Sequence, residues 1–296
     1  MAPTKQSAFR PDLFRGKTVL ISGGGTGIGL GMSRSFAAHG ASVFIMGRRE
    51  DVLRKAVQEL GESRAAYAPG DVRDADACKR AVDACVRRFG SLDVLVCNAA
   101  GNFATAAEDL SANALKTVME IDFHGTFNLA KAALEPLKRA AGGGVIIAIS
   151  ATLHYKVTPF QMHASAAKAA IDVMTRSLGV EWGAEHGIRC VGIAPGPIEG
   201  TVGGPTGRVF GGLGAPTDAD AVKYVVPIGR YGRVEDVANA ALFVASDAGS
   251  FVNATVVVVD GGHWHEAAHT FLGARDVIRD ISVRERQTTK AGVAKL

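Results

Sequence analysis

The sequence lacks the long apolar runs and the cysteine groupings that define several classes of protein. No apolar run approaches the roughly 20 residues that span a bilayer, and the first residues, MAPTKQSAFRPDLF, contain no apolar signal core. The cysteines show no metal-type spacing. We therefore expect no membrane span, no secretory signal, no metal site, and a reducing compartment in which the thiols stay free. The four cysteines are Cys78, Cys85, Cys97 and Cys190.

Charge of one sign is not concentrated in any block of the sequence. The 33 Lys and Arg residues are interleaved with 29 Asp and Glu residues, for a net charge of +4. This mixture argues against a nucleic-acid surface, and its mild positive excess suits anionic small molecules. The hydrophobic fraction of 47% in 296 residues is enough for a sizeable core.

Short β-branched runs alternate with longer helical patterns over residues 17–260. The runs read KTVLISG, ASVFIMG, AAYAPGD, LDVLVCN, GVIIAIS, IRCVGIAPG and TVVVVD. Strands this uniformly apolar are covered on both faces, as in a parallel sheet between two helical layers. The pattern predicts an α/β fold: a doubly wound, Rossmann-type domain with a seven-stranded parallel sheet.

No composition break marks a second domain, so we expect one domain over residues 1–296 with its core at 17–262. Residues 199–222 are rich in glycine and too long for an ordinary connection. Because ligands bind at the carboxyl ends of parallel strands, this stretch is interpreted as a substrate lid, with a disordered insertion as the alternative. Residues 263–296 form a C-terminal extension.

A glycine-rich turn follows the first strand. Its sequence, SGGGTGIG at residues 22–29, opens into a helical pattern, so its backbone can approach a pyrophosphate and the helix can offer free N–H groups. The turn predicts a dinucleotide site. The residues expected to contact the cofactor here are Gly23, Gly25, Thr26, Gly27 and Ile28.

The end of the second strand carries two cations and no acid. NAD sites place an acid there for the ribose 2′-OH, whereas NADP sites need a cation for the 2′-phosphate. Arg48 and Arg49 therefore predict NADP(H). The alternative is that both guanidiniums lie in solvent and that Glu50 neutralises one of them.

The glycine spacing resembles the G-x-x-x-G-x-G pattern of the short-chain dehydrogenase/reductase family, and three further stretches match it: GDV at 70–72, CNAAG at 97–101 and PGPI at 195–198. The resemblance covers residues 17–262. It implies that these stretches, together with Thr201 and Lys168, hold the adenine, ribose and carboxamide of the cofactor. The residues so implied are Asp71, Val72, Asn98, Ala99, Lys168, Pro195, Gly196, Ile198 and Thr201.

The catalytic centre departs from the family pattern of Ser, Tyr-x-x-x-Lys and Asn. Lys168 matches the lysine, but Ala164 stands where the tyrosine would be, Ala151 stands near the serine position, and Asp122 replaces the asparagine. Without a phenol, reduction of an isolated ketone lacks its acid. A conjugated thioester can spread the developing charge to its carbonyl oxygen and be protonated more slowly at carbon.

This departure resembles the 2,4-dienoyl-CoA reductases of that family, the peroxisomal type more than the mitochondrial. The resemblance implies NADPH-dependent reduction of 2,4-dienoyl-CoA to 3-enoyl-CoA in β-oxidation of unsaturated acyl chains. Asp122 and Lys168 would activate the protonating water. Phe103 would lie against the acyl chain, and Arg73 and Arg208 are candidates for the CoA phosphates.

The last three residues, Ala294, Lys295 and Leu296, resemble the Ser-Lys-Leu peroxisomal address. We therefore expect a peroxisomal import receptor as a partner, and the peroxisome or a related organelle such as the glycosome as the location. Family members commonly assemble as tetramers, so a homo-oligomer, tetramer or dimer, is also expected.

The sequence leaves two alternative functions open. In the first, Tyr155 swings in from its loop as the acid of an ordinary carbonyl or 3-oxoacyl reductase. In the second, the chain is a non-catalytic NADP-binding module. Retention of Lys168 beside a new acid, Asp122, argues against the second.

Overall fold

The computed structural model of the protein describes residues 7–207, 209, 216 and 218–268. Within this part of the chain, seven strands alternate with eight α-helices. The strands are β1 Thr18–Ser22, β2 Ser42–Gly47, β3 Ala65–Pro69, β4 Val94–Cys97, β5 Val145–Ile149, β6 Arg189–Pro195 and β7 Thr255–Val259. The helices are α1 Gly27–Ala38, α2 Glu50–Leu60, α3 Ala75–Phe89, α4 Ala112–Met119, α5 Gly125–Lys138, α6 Met162–His186, α7 Ala219–Val225 and α8 Val234–Ala245. A π-helical turn, Glu120–His124, joins α4 to α5.

The strands form one parallel sheet in the order β3-β2-β1-β4-β5-β6-β7. The predicted α/β fold with seven parallel strands is therefore confirmed. The strand order reverses between β1 and β4, and this switch point opens a crevice at the carboxyl ends of the strands. Because the glycine-rich turn follows β1, the fold brings that turn to the crevice.

The core lies on both faces of the sheet because side chains alternate along each strand. In β1, Val19 and Ile21 pack with Phe36 of α1 in the layer that also contains α2 and α8. Leu20, between them, packs with Leu129 of α5 in the layer that contains α3 and α6. Each side chain buried this completely contributes roughly 1.5–3 kcal/mol relative to exposure. The central strands are thus covered on both sides, as the sequence pattern predicts. The prediction is wrong for the edge strands β3 and β7, which are only partly buried, and Val258 of β7 is 37% exposed.

The cysteines are core residues. All four are buried and free, and Cys78 and Cys85 lie on the inner face of α3. Burial raises the pKa of both thiols to about 12, so they remain protonated at neutral pH. Among the described residues, no group of histidine, cysteine and acidic side chains is arranged to hold a metal ion, and no helix is both long and apolar enough to cross a bilayer.

Candidate active site

A large cavity of about 1210 Å³ lies at the carboxyl ends of the strands. All of the residues predicted to contact the cofactor border it, and so does the Asp122–Lys168 pair. The residues predicted to contact the cofactor come from the turn after β1, from segments that follow β2, β3 and β4, and from the end of β6 and the segment after it, except Lys168, which lies on α6. The cofactor-predicted residues on the wall are Gly23, Gly25, Thr26, Gly27, Ile28, Arg48, Arg49, Asp71, Val72, Asn98, Ala99, Lys168, Pro195, Gly196, Ile198 and Thr201.

The glycine-rich turn needs glycine for two reasons. Gly23 and Gly27 adopt positive φ angles of 66° and 52°, which strain any residue with a Cβ. Gly29 has a different constraint, because a Cβ there would stand 2.2 Å from the carbonyl oxygen of Gly23 and 2.6 Å from the side-chain nitrogen of Asn98. Glycine at Gly29 therefore lets the turn pack closely against itself, and because Thr26 provides no side-chain cap, the first N–H groups of α1 are available to an anionic group.

Arg48 and Arg49 are exposed at the rim of the same cavity, between β2 and α2. Glu50 is engaged elsewhere, since its carboxylate accepts hydrogen bonds from Arg54, one helical turn away, and from the hydroxyl of Tyr67, each at 3.3 Å. Glu50, which the alternative interpretation pairs with one of the two guanidiniums, therefore has other partners. This rim is suited to a phosphate group.

Asp122 and Lys168 form a buried ion pair on the cavity wall. Lys168 Nζ lies 3.0 Å from Asp122 Oδ2 and donates a second hydrogen bond, also 3.0 Å, to the carbonyl oxygen of Ile149 at the end of β5. The other carboxylate oxygen, Asp122 Oδ1, accepts a 2.7 Å hydrogen bond from the backbone N–H of Gly101. Asp122 is 1% exposed and Lys168 7%, so the pair is largely shielded from bulk water. Such a pair is held by its additional hydrogen bonds as well as by charge.

The π-helical turn places Asp122 in this position. It widens the helix by one residue per turn at Glu120–His124, and the hydroxyl of Thr126 donates a 2.6 Å hydrogen bond to the Asp122 carbonyl. π turns of this kind occur frequently at functional sites. The carboxylate therefore faces α6 from a helix that is locally out of its α register.

Ala151 and Ala164 both border the cavity beside Lys168. Ala164, Lys168 and Asp172 recur every four residues along α6, so they share one buried face of the helix. Ala164 offers no phenol, and the hydroxyl of Ser150, which also borders the cavity, is hydrogen-bonded to Asp172 at 2.5 Å.

Asp172 is a buried acid that sequence reasoning missed. Its carboxylate accepts hydrogen bonds from the hydroxyl of Ser150 at 2.5 Å and from the hydroxyl of Tyr155 at 2.9 Å, and it lies 2.8 Å from Nε2 of His154. Burial raises the pKa of Asp172, but the bonds from His154, Ser150 and Tyr155 outweigh burial and hold that pKa below its ordinary value. The available signal was an acid one helical turn beyond Lys168, on a face that is otherwise apolar.

The Asp172 network has a direct consequence for Tyr155. Burial, followed by the hydrogen bond to Asp172, raises the pKa of the Tyr155 phenol far above its ordinary value. The ring also packs edge-on against Trp264, with centroids 5.5 Å apart. The phenol is thus fixed as a donor to a carboxylate and is a poor proton source for a substrate.

We expect Tyr155→Phe to change kcat less than about threefold, since the ring packing remains and only the hydroxyl is lost. The lost bond to Asp172 should lower the free energy of unfolding by about 1 kcal/mol. Steady-state kinetics and thermal unfolding measure the two effects. A complete loss of turnover would instead make Tyr155 the catalytic acid.

The residues predicted to bind substrate are not all on the cavity wall. Phe103 does not border it; its ring stacks on His163 with centroids 4.2 Å apart. Arg73 faces a separate surface pocket and binds Asp71 at 2.7 Å, which lowers the pKa of that carboxyl despite partial burial. Arg208 lies outside the described residues.

Asn102, by contrast, does border the cavity, and it was not predicted as a site residue. Its Oδ1 atom is buried and has no hydrogen-bond partner among the described residues. Its sequence signal was its place between Gly101, which binds Asp122, and Phe103. The buried oxygen is an acceptor, so the Nδ2 group is the part of this amide that can donate to a ligand in the cavity.

Part of the glycine-rich stretch also contributes to the wall. Thr201, Val202 and Gly203 border the cavity, and so does Pro216, whose carbonyl accepts a 2.8 Å hydrogen bond from the hydroxyl of Tyr231. Residues 208, 210–215 and 217 fall outside the described residues. The substrate lid over 199–222 therefore stays a prediction.

Comparison with known proteins places these features in context. A family model described as enoyl-(acyl carrier protein) reductase matches residues 23–263. The peroxisomal 2,4-dienoyl-CoA reductase of Arabidopsis thaliana is 47% identical over 267 residues, covering 87% of this chain and 88% of that protein. The protein of the same name from Danio rerio is 42% identical, covering 95% and 91%. The crystal structure of a short chain dehydrogenase from Bacillus anthracis superposes with a TM-score of 0.76 and 36% identity, covering 85% of this chain and 97% of that one.

Proposed function

This chain belongs to the short-chain dehydrogenase/reductase family, and we propose that it reduces 2,4-dienoyl-CoA to 3-enoyl-CoA with NADPH. The observation that carries the proposal is the buried Asp122–Lys168 pair in a cavity that has an alanine, Ala164, where the family has its tyrosine. Such a site suits a conjugated acyl thioester better than an isolated ketone. Relatives with this named activity cover most of the chain.

Membership of the family implies a nicotinamide dinucleotide as cofactor. The residues on the wall fit such a group, because the first turn of α1 borders the cavity without a side-chain cap, as a pyrophosphate requires, and Asn98 donates a hydrogen bond that holds the turn. The finer choice of NADPH rests on Arg48 and Arg49 at the rim and on the separate partners of Glu50. When bound, the cofactor supplies a hydride to the δ carbon of the dienoyl group.

The chain's own residues then have two tasks. The first is to stabilise the negative charge that reaches the thioester oxygen, for which the Asn102 amide is a suitable N–H donor on the wall. The second is to deliver a proton to the α carbon. Asp122 and Lys168 would hold a water molecule for that step, since both are fixed by further hydrogen bonds and neither must move to reach the cavity.

The proposed setting follows the relatives, which are named as peroxisomal enzymes from plant, fish, mammals and yeast. The activity would therefore serve β-oxidation of unsaturated acyl chains in the peroxisome or a related organelle. Residues 294–296, which lie outside the described part of the chain, would be read by an import receptor. A homo-oligomer, tetramer or dimer, is proposed as the working form, as is common in the family.

A substrate panel tests this function. We expect rapid NADPH oxidation with 2,4-hexadienoyl-CoA and 2,4-decadienoyl-CoA, and turnover of a 3-oxoacyl-CoA at least about 100-fold slower, because the ketone lacks a positioned acid. Preferred turnover of the 3-oxoacyl-CoA would support the carbonyl-reductase alternative. Tight NADPH binding without turnover of either substrate would support a non-catalytic module.

A further inference from the structure

The Phe103 carbonyl is held by two side chains from the start of α6. Gln161 Nε2 donates to it at 2.9 Å, and His163 Nε2 lies 3.0 Å from the same oxygen. The His163 ring also stacks on the Phe103 ring at an interplanar angle of 20°. Because a carbonyl oxygen only accepts, His163 must carry its proton on Nε2. We call Gln161 and His163 the clamp.

The clamp lowers the stability of the fold. Both side chains are 0% exposed, and the atoms opposite the donors, Gln161 Oε1 and His163 Nδ1, are buried without a hydrogen-bond partner among the described residues. Burying an unpaired polar atom lowers stability, and an apolar pair would fill this space without that penalty. We infer that the two side chains serve to fix the position of the Phe103 carbonyl and do not serve to stabilise the fold.

What the clamp positions is the short loop that carries Asn102. One residue earlier, the N–H of Gly101 is bound to the Asp122 carboxylate. One residue later, the carbonyl of Phe103 is bound by the clamp. Asn102 therefore lies between two residues whose backbone is fixed, one by the π turn and the other by the start of α6. Asn102 itself borders the cavity.

We propose that His163 and Gln161 are positioning residues, which hold the Asn102 amide where it donates to the thioester oxygen of the substrate. This inference rests on the proposed dienoyl-CoA reduction. It also gives the two helices a shared role. Asp122 fixes the loop from the π turn, and the clamp fixes it from α6. The distance between the ion pair that serves proton delivery and the Asn102 amide that stabilises the charge is thereby kept constant.

Kinetics of the full-length enzyme with NADPH and 2,4-hexadienoyl-CoA test the clamp. We expect His163→Phe, which keeps the stacked ring but removes the donor, to lower kcat about tenfold. His163→Gln, which can restore a donor near the same position, should recover most of the rate. NADPH affinity should stay within about twofold in both variants. Met162→Ala is the matched control, because Met162 lies in the same turn and is half exposed.

A double-mutant cycle distinguishes positioning from general destabilisation. If the clamp acts through Asn102, His163→Phe should have almost no further effect on kcat in an Asn102→Ala background. Equal losses of kcat in both backgrounds would overturn the proposal, and so would a His163→Phe variant with unchanged kcat. Gln161→Leu is run through the same cycle, so that poor folding of one variant does not decide the outcome.

Hydrogen exchange separates this inference from the proposed function. In His163→Phe, amides of residues 99–105 should exchange faster than in the wild type, while those of β4 should not change. Wild-type protein that fails to oxidise NADPH with any dienoyl-CoA would refute the proposed function. Unchanged exchange over 99–105 would refute the clamp, whatever the substrate proves to be.

Discussion

Replacing Asp122 with asparagine is expected to lower kcat for dienoyl-CoA reduction by about 10² to 10⁴-fold. The amide oxygen can still accept the hydrogen bond from Gly101, so the loop should keep its place. The uncharged amide cannot, however, orient and polarise the protonating water as the carboxylate would, and it removes the negative partner of Lys168. Steady-state turnover of 2,4-hexadienoyl-CoA, with NADPH affinity measured separately, gives the two effects.

Glu120→Gln provides the matched control for this variant. Glu120 is an acid in the same π-helical turn, but it pairs with Lys116 at 3.6 Å and faces the separate surface pocket. Its replacement should leave kcat nearly unchanged. If Asp122→Asn retained full turnover, or if both variants lost activity equally, Asp122 would have no specific part in the reaction.

Replacing Arg48 and Arg49 together by alanine is expected to raise the KM for NADPH about 100-fold, roughly tenfold for each guanidinium that binds phosphate. The KM for NADH, which has no 2′-phosphate, should change little. The preference between the two cofactors should therefore collapse while kcat at saturation remains. Parallel titrations with NADPH and NADH measure the change.

The control for the cofactor experiment is Lys55→Ala. Lys55 is an exposed cation of α2 near the rim, but it does not border the cavity. Its loss should leave the KM for NADPH within about twofold of the wild type. Equal increases in KM for NADPH and NADH in the Arg48/Arg49 variant would show that the pair shapes the pocket without reading the 2′-phosphate.

The sheet and the nucleotide turn were accessible from sequence because each rests on a local pattern. Uniformly apolar strands require cover on both faces, and β1 duly places Val19 and Leu20 in opposite layers. Likewise, Gly23 and Gly29 follow a strand and open a helix, which is the context that gives a glycine-rich turn its meaning. Neither inference needs knowledge of distant contacts.

The site itself was only partly accessible. The family pattern selects Asp122 and Lys168 separately, but their 3.0 Å contact depends on the π turn, whose residue types do not differ from those of an α-helix. Arg73 shows the opposite difficulty. An exposed arginine after an acid is equally consistent with a ligand contact and with a local bond, and here its partner is Asp71, two residues earlier.

Asp172 and His163 were hidden for another reason. Both are polar residues within an alanine-rich helix, and the pattern of that helix explains its core packing without them. Their importance comes from partners far away in sequence, the loop at 150–155 and the carbonyl of Phe103. Single-residue patterns do not encode such tertiary partners.

The π turn makes the chemistry of this protein depend on a count of residues. An α-helix advances 100° for each residue and a π turn advances less, so the widened turn holds one extra residue while α4 and α5 keep their places. Removing one residue between Met119 and Gly125 would restore regular winding and change which side chain of the turn faces the cavity, although the other residues of the site were still present. The reaction thus depends on the number of residues in the turn as much as on the identity of its acid. A deletion within Glu120–His124 is expected to lower activity more than most substitutions there.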